Sequence, residues 1–418
     1  MTDQTTTVRT VPWFGAMQAF KRRYERLHPS VQMIGLQLWL PVCFVILFVL
    51  CYVNAFHSPT PHDMPVGVVG TQAASQVDAG LEKALPGGFS VTRLASVDSD
   101  AIRTGRLVAV YDPSTAGGPT LVIGSAAAGS ANVSAVENTF RPLAAASGAP
   151  LQVKDIAPLP ASDSSGTVAL YVSLVATIGG YMVGMFCGMM GGPLKRRTRF
   201  GILAGSAVVM SIVAATLTGP IVGALHGHFL ELWAIMFATM LAVGLVVNGL
   251  GYFLGRFVTG AALLVFVFLN IPASGGAMPV DMVGEPFRWL NHVVVGGGII
   301  PLIRSVFYDA GPGAHVGIWR LAVYAVAGLA LAWVGPAYAR WRYHRRALLG
   351  LPAGGMMAHA QRQLMLAAQQ AAAQSGRPAD EDASGTAVEA EALVEETLSA
   401  EESVTGNAGA AGGAAGGE

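Results

Sequence analysis

Charge is what this 418-residue chain has least of. Asp, Glu, Lys and Arg make up 12% of it, where a soluble domain carries roughly 25%. Hydrophobic residues reach 53%, and several uninterrupted apolar stretches approach the roughly 20 residues that cross a bilayer. That balance excludes a soluble enzyme and a nucleic-acid binder. Cysteine is scarce as well: Cys43, Cys51 and Cys187 each sit inside an apolar stretch. A disulfide-stapled secreted domain is therefore excluded, and each thiol behaves as a small hydrophobe. The chain has no G-x-x-x-x-G-K-[ST] run to cradle a phosphate. His226 and His228 flank a tight turn without a third ligand at zinc spacing. The sequence thus offers no catalytic motif, no cofactor site and no metal site, and is not that of an enzyme.

What remains is the pattern of an α-helical multi-pass membrane protein. Residues 1–30 form an N-terminal segment in which Trp13, Phe14, Met17, Phe20, Tyr24 and Leu27 recur at three- and four-residue steps. Lys21, Arg22, Arg23 and Arg26 crowd its end, the composition of a helix lying in the membrane interface. An uncharged run at 31–56 follows as the first span. Residues 57–166 then turn polar and turn-rich, reading strand–helix–strand–turn–strand–strand–helix–strand. This predicts an inserted α+β domain with an antiparallel or mixed sheet and helices on one side. Further spans are expected at 167–190, 201–225, 230–254, 257–271 and 318–338. They make a five-helix bundle over 167–346 and six transmembrane helices in all. From 347 to 418 the composition is Ala, Gly and Glu, too poor in apolar groups to offset the entropy of ordering.

The zero net charge hides a segregation. Ten acidic residues and no basic one lie between Pro378 and Glu418. Fourteen Lys and Arg flank one set of span ends, in the groups Arg9 to Arg26, Lys195 to Arg199, Arg256, and Arg340 to Arg346. Short loops rich in Lys and Arg stay inside. Both termini are therefore expected in the cytoplasm of a cell-membrane protein, with the 57–166 domain extracytoplasmic.

Within the spans, Gly180, Gly184 and Gly188 recur every four residues, a seam along which helix backbones approach closely. The seam fits a contact inside one bundle or one between two copies. The fifth span is short and is broken by Ile271-Pro272-Ala273-Ser274-Gly275-Gly276. A break at membrane depth survives only when buried in protein or facing water. Residues 287–292 and 296–307 then read either as short helices of a re-entrant outer segment near 272–316 or as an ordinary outer loop. The second to fifth spans hold no ionisable group away from their ends, which argues against a proton- or sodium-driven carrier.

This layout resembles the type-two ABC exporter permeases, in particular the phage-infection-protein-like (YhgE/Pip) branch. The matching residues are Met64-Pro65-Val66-Gly67-Val68-Val69, Ala101-Ile102-Arg103-Thr104-Gly105-Arg106-Leu107-Val108-Ala109-Val110, and Ile271 to Gly276 with Pro279. The interfacial helix of residues 13–27 corresponds to the family's elbow helix. The resemblance implies a permease subunit, a homodimer or one half of a pair, moving an amphiphilic or lipid-like substrate while a separate ATP-binding subunit supplies the hydrolysis. It implies a docking loop at Lys195, Arg196, Arg197 and Arg199, although this connection is basic and short where many members carry a Glu-containing coupling helix. The alternative is a membrane scaffold or receptor whose outer domain binds a partner. In either case the lipid bilayer is a partner and nucleic acid is not.

The orientation is testable. In intact cells Ser130→Cys should react with an impermeant maleimide and Thr198→Cys should not; reversed labelling overturns the expected topology.

Overall fold

The computed structural model describes residues 39–115, 117–146, 148–190, 194–225 and 227–348. The expected interfacial helix, the start of the first span and the acidic tail lie outside these residues.

Helix α1 (Trp39–Phe48) continues through a π-helical turn (Val49–Val53) into Asn54–Phe56. Val42, Val45 and Leu50 along it are exposed, so this helix presents apolar side chains outward. The chain then forms β1 (Met64–Val69), α2 (Thr71–Ala84), β2 (Phe89–Leu94), α3 (Ser99–Arg103), β3 (Ala109–Asp112), β4 (Thr120–Ile123), α4 (Ser125–Ala128), α5 (Ser130–Ala146) and β5 (Gln152–Asp155). The strands make one mixed sheet in the order β2-β1-β3-β4-β5. β1 pairs parallel with β2 and β3, β3 antiparallel with β4, and β4 parallel with β5.

The order explains a departure from the expectation of helices on one side. From β1 the chain steps one way to β2, then back across β1 to β3. Right-handed crossovers taken in opposite directions put their helices on opposite faces. On one face Met64, Val66 and Val68 pack with Ala74 and Leu81 of α2 and with Val136 and Phe140 of α5. On the other, Ala101 and Ile102 of α3 pack with Val110 and Val122. Val66, Gly67 and Val68 are buried in succession, the continuous burial of a strand covered on both sides.

Beyond the sheet come α6 (Val168–Met190), α7 (Arg196–Thr216, extended by a π-helical turn at Leu217–Ile221) and α8 (Phe229–Leu254). α9 (Val258–Leu263) runs through a π-helical turn (Leu264–Leu269) into Asn270–Ala273. α10 (Glu285–Asn291), α11 (Gly296–Phe307) and α12 (Ala314–Leu348) complete the described chain. Four stretches are long and apolar enough to cross a membrane: Val168–Met189, Arg196–Ile221, Phe229–Leu254 and Ala314–Arg342. α10 and α11 are apolar together but bent by 65° at the break between them. The described residues thus contain four membrane-length helices, or five if the bent pair counts as one span, against the six expected. The shortfall has two sources. The first expected span is described only from Trp39, and the fifth is an apolar helix of Val258–Ala273 that stops soon after Pro272. α8 is the central helix, with side chains such as Leu232, Met236, Val243 and Val247 fully enclosed.

Gly180, Gly184 and Gly188 lie along the contact between α6 and α8. A Cβ on Gly180 would stand 2.6 Å from the Met240 carbonyl oxygen, and one on Gly184 would stand 2.5 Å from that of Gly244. At Gly188 the nearest atom would be the Gly251 Cα, 3.5 Å away. The seam is filled by this chain's own α8. Gly201 and Gly205 of α7, at the same spacing, face open space instead. Ala169, which its place near the end of α6 would suggest is tolerant, is fully buried.

Gly184→Leu should therefore overpack the α6–α8 contact at a cost of about 1–3 kcal/mol, lowering the thermal midpoint of the purified protein. Gly205→Leu should leave that midpoint unchanged. Equal midpoints for the two variants contradict the seam.

Candidate functional site

The chain between α9 and α11 has to provide for backbone groups that no helix satisfies, and a few polar side chains do so. The Asn270 Oδ1 accepts from the Gly296 N–H at 2.8 Å, and the Asn291 Nδ2 donates to the Ala273 carbonyl at 2.7 Å. The Ser274 hydroxyl donates to the Ile271 carbonyl at 2.8 Å and accepts from the Gly276 N–H at 3.2 Å. Pro272, with no N–H to give, is buried inside the last helical turn, and Gly275 takes the positive φ of 76° that turns the chain. From α12 the Arg320 Nη1 donates to the Asn291 carbonyl at 2.6 Å, closing the end of α10 as a cation near a helix C-terminus does. Gly297 fits between that carbonyl and the Arg320 guanidinium, where a Cβ would meet both.

The sheet unit is seated on this segment. Gly311 N–H donates to the Arg103 carbonyl at 2.7 Å and His62 N–H to the Asp281 carbonyl at 2.8 Å. Arg288 pairs with Asp63 at 3.1 Å. Tyr308 donates its hydroxyl to the buried Asp163 carboxylate at 2.5 Å, and the same carboxylate accepts from the Thr167 and Val168 N–H groups, capping α6.

Between the two parts lies a polar cavity of about 360 Å³, lined by Arg106, Asn132, Ser274, Asp281, Asn291 and Arg304 among others. The Asn132 Nδ2 donates to Asp281 at 3.1 Å. Burial pushes the Asp281 carboxyl above the ordinary aspartate value, against smaller opposing effects of the Asn132 hydrogen bond and the Arg288 charge. Arg304 donates from Nη1 to the Ala127 carbonyl at 3.2 Å. Its Nε and the Asn132 Oδ1 are buried without a hydrogen-bond partner.

A second cavity, of about 510 Å³, opens between α8, α11 and α12. Its walls, among them Ile235, Phe237, Leu241, Leu302 and Ile318, are apolar, and Glu231 supplies the one carboxylate. α11 separates the two cavities, with Leu302 and Val306 lining the apolar one and Gly297, Pro301 and Arg304 lining the polar one.

The basic loop is divided. Lys195 and Arg197 are exposed, and their side chains carry no hydrogen bond or ion pair among the described residues. Arg196 donates from Nη2 to the Ala332 carbonyl of α12 at 2.6 Å. Arg199 is buried: it donates to the Cys187 carbonyl at 2.7 Å and to the Tyr252 hydroxyl, with its guanidinium 5.0 Å from the Tyr252 ring centre. It braces α6, α7 and α8 and cannot serve as a docking cation. Pro272, Ser274, Gly275 and Gly276 sit together in the break. Asn270, Asn291, Arg304, Arg320 and Asp163 were missed in sequence reading. The signal was present for Asn270 and Arg320, each a lone polar residue inside an apolar run, where a polar group needs a partner or a role. Asp163, Asn291 and Arg304 stand beside Ser164, His292 and Ser305 and carried no such signal.

Asp281 makes the site sensitive to pH. Below the ordinary aspartate value both the folded and unfolded chains hold its proton. As pH rises past that value the unfolded chain releases it first, so stability falls until the folded group ionises as well. The thermal midpoint of wild type should drop relative to Asp281→Asn as pH rises from the ordinary aspartate value of about 3.9; parallel curves for the two proteins contradict the assignment.

A family model described as "Protein of unknown function (DUF3533)" matches residues 120–320. No curated protein and no solved structure matches the chain. The matched stretch begins at β4 and ends at Arg320, so it takes in the break, Asn132, Asp281 and Arg304. The chain is similar to that family over most of the residues that line the polar cavity, while Thr104, Gly105, Arg106 and Val108 precede the matched stretch.

Proposed function

We propose that this chain is the membrane subunit of an exporter-like permease, acting on an amphiphilic or lipid-like substrate, with ATP hydrolysis supplied by a separate subunit. The apolar cavity between α8, α11 and α12 carries the reading. A space of about 510 Å³ whose walls are apolar apart from Glu231 suits an acyl chain or another apolar body. In this reading the chain lies in the cell membrane with six spans and both termini cytoplasmic. The sheet unit stands outside, above the break, and the loop at Lys195 and Arg197 faces the partner. A homodimer or a paired permease completes the transport unit.

One observation favours a receptor or scaffold instead. All four residues of β5 are exposed, and β5 is an edge strand of the sheet, the type of edge to which a partner's strand can add.

A mild-detergent pull-down from the native host, read by mass spectrometry, separates the two. The permease reading expects a nucleotide-binding protein with wild type and less of it with Lys195→Gln/Arg197→Gln. Exposed ion pairs are worth roughly 0–1 kcal/mol each, so the loss is partial. A wild-type sample without any nucleotide-binding protein favours the scaffold.

A further inference from the structure

We propose that the polar cavity under the sheet unit is a binding site for an anionic oxygen group, a phosphate or a carboxylate, held by Arg304.

Arg304 lies on α11 at the junction between the sheet unit and the re-entrant segment. Among the described residues its guanidinium makes one hydrogen bond, the 3.2 Å bond from Nη1 to the Ala127 carbonyl, while its Nε–H is buried with no acceptor. No carboxylate forms an ion pair with it among the described residues. The opposite charge acting on it is the buried Asp163 carboxylate, which makes no ion pair with it and is itself taken up by the Tyr308 hydroxyl and the Thr167 and Val168 N–H groups, so the guanidinium keeps unused donors. Support of the Ala127 carbonyl alone needs one donor and no charge. The planar fork of an arginine matches the paired oxygens of a carboxylate or phosphate, and the space beside this fork is the 360 Å³ cavity.

The rest of the lining agrees with that ligand. Arg106 adds a second cation, held in place by its 3.2 Å hydrogen bond from Nε to Thr104. The one acid, Asp281, is engaged by Asn132, and burial favours its neutral form. Gly275, Gly297 and Gly311 line the cavity with backbone alone. The unpartnered Asn132 Oδ1 is an acceptor for a hydroxyl or ammonium group on the same ligand. The volume exceeds that of a bare phosphate and leaves room for a small headgroup, and the lining mixes these polar groups with apolar side chains such as Val108, Val280 and Ile300.

Two sources share this chemistry: the headgroup of an anionic lipid and a free anion. As a headgroup site the cavity rests on the amphiphile reading above. The test uses purified full-length protein without any ATPase, so binding and export fail separately. In a non-ionic detergent the protein is titrated with dioctanoyl phosphatidic acid, with dioctanoylglycerol as the neutral analogue of the same tails, and with inorganic phosphate. Tryptophan fluorescence and the thermal midpoint are the readouts.

The acid should bind at least about tenfold more tightly than the neutral glycerol, and Arg304→Gln should remove most of that difference while Arg304→Lys keeps part of it. Inorganic phosphate binding as tightly as the lipid keeps the anion site and assigns it to a free anion. Should Arg304→Gln fail to fold, a photoreactive phosphatidic acid on wild type decides, and it should mark peptides from 104–132 or 274–312. Equal affinity for acid and neutral lipid, unchanged affinity in a folded Arg304→Gln, or label confined to other peptides overturns the proposal.

Discussion

A backbone amide shut away from water must find its partner in the protein, and the chain from Leu269 to Gly298 is built around that constraint. A helix that stops inside the fold leaves carbonyls and N–H groups without helical partners. Here the partners are side chains carried by the same stretch and by α12: Asn270, Ser274 and Asn291, with Arg320 reaching in from the side. Because these groups occupy the break, the backbones must come close to them, and glycine at 296, 297 and 298 leaves the room. The satisfied break then offers a firm upper surface. His62 and Asp63 of the sheet unit meet it at Asp281 and Arg288, Arg103 and Asp163 are held by Gly311 and Tyr308 at the far end of α11, and the polar cavity is the space those contacts leave between them.

The membrane character, the strand and helix order of the sheet unit and the position of the break were all legible in the sequence, and for physical reasons. Long apolar runs and period-2 alternation are local patterns, and Pro272 with Gly275 is a local interruption. The side of the sheet taken by α3 was not legible, because it depends on the chain crossing back over β1, a relation between distant strands. The site was legible only as a location. Ser274 and the glycines of the break were singled out by their neighbours in sequence. Arg304 and Asn132, 172 positions apart, become lining of one cavity only when the sheet unit is seated on the bundle.

The glycine seam and the basic loop show the same division. Spacing alone marks Gly180, Gly184 and Gly188 and equally marks Gly201 and Gly205, yet only the first set meets another helix. The difference lies in which face α7 turns to α8, and nothing in a four-residue repeat encodes that. Charge alone marks Lys195, Arg196, Arg197 and Arg199 as equivalent. The three-residue step from Arg196 to Arg199 places these two along one side of the first turn of α7, where carbonyls of α12 and α6 and the Tyr252 hydroxyl are in reach.

The anchoring of those two arginines has a mechanical consequence. α7 with its terminal π-helical turn spans Arg196–Ile221, a rod of roughly 39 Å at 1.5 Å per residue. It is pinned at its first turn to α6, α8 and α12. At its far end the hydrogen-bond ladder loosens at Leu217–Ile221, where Pro220 withholds an N–H. A push delivered at Lys195 and Arg197 thus acts beside the fulcrum, and the long arm of the lever carries the displacement to the opposite end of the bundle.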